Sequence, residues 1–135
     1  MQAVAYSELS PLDLMKLCVW REARGEGILG QRGVAHCIKN RADDPMWWGH
    51  DIRSVILKPF QFSSFNVGDP NEKLWPLGDD PQLLEISPMC DSVLAGTDKD
   101  ITDHAQFYHD VSVTPPWAED YILTLQVGRL LFYKL

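Results

Sequence analysis

The chain has 135 residues, 45% of them hydrophobic, which suits one compact domain over residues 1–135 with a substantial core and leaves little room for a second. Lys and Arg number 12 against 19 Asp and Glu, and the net charge of −7 repels phosphate backbones and anionic membrane surfaces, which argues against nucleic acid as a partner. No apolar run nears the roughly 20 residues of a membrane span, so stable membrane insertion is not expected, and the opening MQAVAYSELS lacks the basic and apolar segments of a signal peptide.

Ser10-Pro11-Leu12-Asp13 reads as an N-cap, a first-turn proline and an acidic third position, a variant of the capping box. Leu14, Leu17, Cys18 and Arg21 follow at helical spacing, so a helix is predicted to about Ala23, ended by Gly25 and Gly27. A second helix is predicted from about Leu29 to Arg41, with Val34 and Ile38 inward and Gly33 and Ala35 allowing close approach to the first helix. Asp43-Asp44-Pro45 breaks it, and a short helix is expected from Asp51 to about Leu57, stopped by Pro59. From Pro59 to Pro81 the chain reads as a long irregular loop packed by Phe60, Phe62, Phe65 and Trp75, and loops of this length usually bind something.

The next helix is expected to bury Leu83, Leu84, Ile86, Cys90, Val93 and Leu94 and to stop at Gly96, with Pro88 splitting or bending it. Beyond Gly96 the period changes. Ala105 to His109 reads as a short strand, Pro115-Pro116-Trp117 as a rigid corner, and Tyr121–Gln126 with Leu130–Tyr133 as a hairpin through Val127-Gly128-Arg129. The fold class is therefore α+β, mainly helical with a small antiparallel sheet. Cys18, Cys37 and Cys90 each sit in apolar helical pattern without a CxxC spacing, which predicts free, buried thiols.

The pentad Glu22-Ala23-Arg24-Gly25-Glu26 places two carboxylates and a guanidinium where a helix opens into glycines. Glu22 lies one turn beyond Cys18, near the inward side, and apolar surroundings favour the protonated form of a carboxyl, which makes it a candidate general acid. The same position also suits a charge that merely solvates a helix end. Glu26 suits a structural role, offering its carboxylate to the first turn of the second helix or clamping Arg24 or Arg41, and those two arginines then act as scaffold charges.

Gln61, Ser63, Ser64 and Asn66 alternate with Phe60, Phe62 and Phe65, which suits a carbohydrate groove: rings cover the apolar faces of sugars, and amides and hydroxyls hold their oxygens. An aromatic loop anchor with ordinary turn residues is the plainer reading. Tyr108, beside His109, can present its hydroxyl at the same groove or pack in a core strand. His36, His50, His104 and His109 include no HExxH, and His104 and His109 are expected on opposite faces of a strand, so no metal and no cofactor is assigned. Phosphate-loop and GxSxG patterns are also missing.

The string E-A-R-G-E-G-x-x-G-Q-x-G-V-A-x-x-I-x-N-R from Glu22 to Arg41 resembles the opening motif of the SleB-like cell wall hydrolases, the spore-cortex lytic enzymes and their bacterial and phage relatives. Weaker blocks follow in order at Pro59–Ser63, Ala105–His109, Pro115–Trp117 and Gly128–Tyr133, where the histidine usual in the last block is Arg129 or Leu130. The resemblance implies a lysozyme-like catalytic domain, related to resuscitation-promoting factors and lytic transglycosylases. Such a domain cuts the β-1,4 bond between N-acetylmuramic acid and N-acetylglucosamine, and the family's catalytic glutamate carries over to Glu22.

On that reading the partner is a peptidoglycan glycan strand, the enzyme is a monomer, and Gln61, Ser63, Asn66 and Tyr108 are substrate-binding candidates. Without a wall-binding module or a signal peptide, the chain is expected to be a phage lysin, waiting in the host cytoplasm for holin-dependent release or carried in the virion. An amidase cutting the muramoyl to L-alanine link and a non-catalytic glycan-binding phage module are the alternatives.

Overall fold

The computed structural model describes residues 1–135. Four helices, α1 (Pro11–Ala23), α2 (Gly27–Asp43), α3 (Ile52–Leu57) and α4 (Pro81–Ala95), precede three strands, β1 (Phe107–Asp110), β2 (Ile122–Val127) and β3 (Leu130–Lys134). The result is an α+β, lysozyme-like arrangement: α1, α2 and α4 pack on one another, α3 closes against α1 and α2, and β1 lies on α2. No helix is long and apolar enough to cross a membrane.

The first helix is the axis of the molecule. Ser10 caps it by accepting the Asp13 N–H at 3.1 Å. Leu14, Met15, Leu17, Cys18 and Val19 are wholly buried and Trp20, Arg21 and Ala23 nearly so, so the helix is covered on almost every side. Its last turn therefore emerges inside the protein's own surface relief, and Glu22 emerges with it. Gly25 then turns the chain at φ 89°, a left-handed conformation that a side chain resists, and its N–H is taken by Gln82 Oε1 at 2.6 Å.

The second helix begins two residues earlier and ends two later than the sequence pattern suggests. Glu26 occupies its N-cap position, but its side chain makes no capping hydrogen bond and no ion pair with Arg24 or Arg41, contrary to expectation. Gly33 does allow a close approach, though of a different partner. A Cβ there would stand 2.3 Å from Cζ of Phe132, so the residue makes room for β3 and not for α1.

The fourth helix is continuous through Pro88, so the proline does not split it. Pro88 is exposed, and so is Leu84, whose carbonyl it leaves without a helical donor; water can satisfy that carbonyl on the outer face. Leu84, expected inside, is 60% exposed because the buried stripe runs through Leu83, Ile86, Met89, Cys90 and Val93. Asp80 caps the helix by accepting the N–H groups of Gln82 and Leu83 at 2.9 and 3.0 Å.

The sheet order is β1-β3-β2, antiparallel throughout, with β2 and β3 joined by the two-residue loop Gly128-Arg129. The first strand starts at Phe107 and not at Ala105. Side chains of α2 explain the difference: Asn40 donates to the Ala105 carbonyl at 2.9 Å and Arg41 to the Gln106 carbonyl at 2.6 Å, so these two carbonyls pair with a helix, although the Gln106 N–H already reaches the Tyr133 carbonyl of β3 at 2.9 Å. All three cysteines are free and buried, as expected. Burial pushes their thiols up, Cys90 to about 12.

Candidate active site

Glu22 opens onto a cleft of about 380 Å³ between the end of α1, the 58–66 loop and the sheet. Its Oε1 accepts the Tyr108 hydroxyl at 2.9 Å and its Oε2 accepts the backbone N–H of Ser64 at 3.1 Å. A hydroxyl can turn from donor to acceptor, so the Tyr108 contact persists whether or not Glu22 carries a proton. Burial, and next the Glu22 carboxylate beside it, push the Tyr108 phenol well above its ordinary value, so it works as a neutral hydroxyl.

The loop that supplies Ser64 is held from beneath by Arg21. Its guanidinium donates to Tyr6 Oη at 2.8 Å and to the carbonyls of Leu74, Ser64 and Glu72 at 3.0, 3.3 and 2.8 Å. The rings of Tyr6, Phe65 and Trp75 surround it at 5.5, 4.9 and 5.1 Å. Thus one turn of α1 carries both the candidate acid and the group that shapes the loop above it. Arg24 extends the same scaffold, donating to Asn71 Oδ1 at 2.6 Å while lying over the Trp20 ring.

Of the residues the sequence nominates, Glu22, Gln61, Ser63, Tyr108 and Arg41 meet at the cleft. Arg24 and Glu26 stand outside its lining, and so does Asn66. The Asn66 carboxamide accepts the Phe60 N–H at 3.2 Å, and Phe60 itself sits at φ 66° and is 84% exposed at the rim. Asn66 therefore supports a strained aromatic at the cleft mouth and lies away from the carboxyl. Arg41 is more than a distant scaffold charge: it lines the cleft, and burial presses its guanidinium below the ordinary arginine value.

Trp47, Trp117 and Tyr121 complete the walls, and none was nominated from sequence. The Pro115-Pro116-Trp117 corner was visible as a turn, but its destination was not. Trp117 packs edge-on against Tyr133 at 5.2 Å and stacks with Tyr121 at 5.6 Å, which fixes both rings on the sheet side. The Ser64 N–H had no signal in the sequence because a backbone donor carries no residue identity.

The histidines lie elsewhere. His109 is outside the cleft; its Nδ1–H donates to the Asp110 carbonyl at 2.8 Å, leaving Nε2 to accept the Tyr133 hydroxyl at 3.0 Å. His104 precedes the strand in a left-handed turn at φ 65°, so the expected opposition of His104 and His109 within one strand does not occur. No three His, Cys, Asp or Glu side chains gather into a group suited to a metal ion.

Among solved structures, the chain is similar to the catalytic domain of the germination-specific lytic transglycosylase SleB from Bacillus anthracis, at 25% identity and a TM-score of 0.74, covering 98% of this chain and all of that one. It is also similar to the catalytic domain of the Bacillus cereus SleB protein, at 27% identity and a TM-score of 0.69, covering 92% of this chain and 89% of that one. No protein with a curated description matches. The sequence profile described as cell wall hydrolase matches residues 25–133, beginning just after Glu22. With that match running from the interhelical Gly25 to Tyr133 of the last strand, the chain belongs to the cell wall hydrolase family.

Proposed function

We propose that this cell wall hydrolase is a lytic transglycosylase that cleaves the β-1,4 bond between N-acetylmuramic acid and N-acetylglucosamine, with Glu22 as its acid and base. The observation that carries the reading is the cleft itself: Glu22 is the one Asp or Glu in its lining, among rings and neutral polar groups suited to sugars. Hydrolysis by two carboxylates needs a second one across the scissile bond. Asp69, in the segment that follows the 58–66 loop, lies outside the cleft and accepts the Asn71 N–H at 2.8 Å.

In the proposed reaction Glu22 gives its proton to the glycosidic oxygen as the bond from that oxygen to C1 of the muramoyl unit breaks. The N-acetylglucosamine O4 leaves as a hydroxyl. The muramoyl C6 hydroxyl oxygen then closes on C1 and yields its proton to the Glu22 carboxylate, which restores the acid and consumes no water. Tyr108 and the Ser64 N–H hold the two carboxyl oxygens in place while the proton leaves and returns. The likeness to a protein described as a lytic transglycosylase supports the same class.

Mass analysis of purified peptidoglycan digested by the protein tests this reading. The expected products carry 1,6-anhydromuramoyl ends, and Glu22→Gln is expected to lose at least about a thousandfold in rate while its melting curve keeps its shape. Ordinary reducing ends would replace the transglycosylase step with hydrolysis. Newly freed L-alanine amino groups would identify an amidase, and an undigested wall would point to a binding module.

A further inference from the structure

Arg41 is a cation buried without an anion. It is 7% exposed, and none of the protein's ion pairs includes it. Its Nε donates to the Gln106 carbonyl at 2.6 Å and one Nη1 hydrogen reaches toward Gln61 Oε1 at 3.5 Å. The rest of the five-donor fork has no acceptor in the protein. That free edge is not sealed in: the one fully buried side-chain polar atom without a partner is Ser64 Oγ, and Arg41 lines the cleft. The rings of Trp48, Phe62 and Phe107, at 5.5, 5.7 and 5.2 Å, hold the guanidinium in place.

Removing a cation from water without giving it a counter-charge is costly, and an apolar collar strengthens whatever charge finally meets it. A rigid guanidinium with an open edge matches a carboxylate in the forked, two-bond geometry. Arg41 is the single cation in the cleft lining and Glu22 the single acid, so the cleft carries net positive charge when Glu22 holds the proton that begins the reaction.

We propose that Arg41 binds a carboxylate borne by the muramoyl unit, so that the cleft selects acid-bearing glycan over a neutral N-acetylglucosamine polymer. The proposal rests on the glycan-cleavage reading and names the part of the substrate that reading leaves open. Two sources present the same chemistry: the lactyl carboxylate of a sugar without its stem peptide, and a carboxylate of the peptide where one is attached. N-acetylglucosamine has neither.

NMR titration of the full chain with N-acetylmuramic acid, its methyl ester, N-acetylmuramoyl-L-alanyl-D-glutamate and N-acetylglucosamine tests it. At least one carboxylate-bearing ligand is expected to bind about tenfold tighter than the ester or the neutral sugar. Preference for the simple acid identifies the lactyl group; preference for the peptide-bearing ligand alone identifies the stem. A folded Arg41→Gln variant is expected to lose the preference and to leave binding of the ester within about twofold. Equal affinity for charged and neutral ligands in the wild type, or a preference that survives Arg41→Gln, overturns the proposal. The wild-type comparison decides alone if the variant does not fold.

Digestion of purified wall is read separately. Cleavage without a carboxylate preference removes this proposal only. Carboxylate preference without cleavage leaves the Arg41 site standing and removes the enzymatic reading.

Discussion

Glu22 has a donor on each oxygen, and the two donors come from separate parts of the chain: a backbone N–H in the 58–66 loop and a phenol on β1. Such a pair fixes the carboxyl plane, and orientation matters because a proton donor must meet one particular sugar oxygen. Tyr108→Phe removes the hydroxyl while keeping a ring of the same shape against Phe132, 5.9 Å away. Its expected effect is a rate loss of about tenfold to a hundredfold, the size of one lost hydrogen bond to a charged group. An unchanged rate on purified peptidoglycan, with an unchanged melting temperature, would remove Tyr108 from the catalytic arrangement.

At the scale of elements, the site is a helix end roofed by a loop, and Arg21 is the joint between them. Its four acceptors lie in Tyr6, Ser64, Glu72 and Leu74, so a single guanidinium ties the N-terminal turn to the 58–66 loop and to the segment that follows it. Arg21→Lys offers a point charge where a planar fork is needed. It is expected to cost on the order of 2–4 kcal/mol and to lower the rate together with Tyr108→Phe non-additively, since both act on Glu22. A double-mutant cycle that proves additive would separate the loop from the acid.

These elements also mark what could be read in advance. Helix starts were legible at Ser10 and Asp51, where short polar side chains capture backbone N–H groups at fixed offsets. The meeting of Glu22, Gln61, Ser63 and Tyr108 at one cleft was legible because their residue types suit a sugar groove, whereas Arg41, read as a scaffold charge, lines the cleft as well. Gly33, Leu84 and Asn66 were misplaced for one reason: each depends on a neighbour distant in sequence or on which face meets water, and local periodicity does not encode that. The aromatic walls escaped for the same reason, since Trp47 occupies a turn and Trp117 a single 3-10 turn of Pro116–Glu119, both too short to show a period.

Over the whole molecule the acidic balance has two consequences. One concerns folding. Desolvation raises the Asp98 and Asp100 carboxyls, but hydrogen bonds outweigh it, from His36 and Arg32 to Asp98 and from Thr102 and Asn40 to Asp100, and both end below the ordinary value of 3.8. Hydrogen bonds from Arg129 take Asp110 further, to about 2. Depressed carboxyls stabilise the fold above the unfolded value and lose that contribution as pH falls through the folded one. The urea midpoint is therefore expected to drop between about pH 4 and about pH 2, and Asp98→Asn is expected to reduce the drop; a midpoint flat across that window would contradict the sign.

The other consequence concerns the encounter with the substrate. A protein of net charge −7 approaching an anionic wall is repelled at long range, and the repulsion is least screened when the Debye length is largest, about 30 Å at 0.01 M salt against about 8 Å at 0.15 M. The pull of Arg41 on a single carboxylate is short-ranged and buried, so salt weakens it much less than it weakens the surface field. Lysis of purified wall is thus expected to quicken as salt rises from about 0.01 M to about 0.15 M, through faster association, while the turnover rate on short soluble fragments stays nearly constant. Lysis that accelerates on removing salt would mean that a local basic patch, and not the net charge, governs how this enzyme meets the wall.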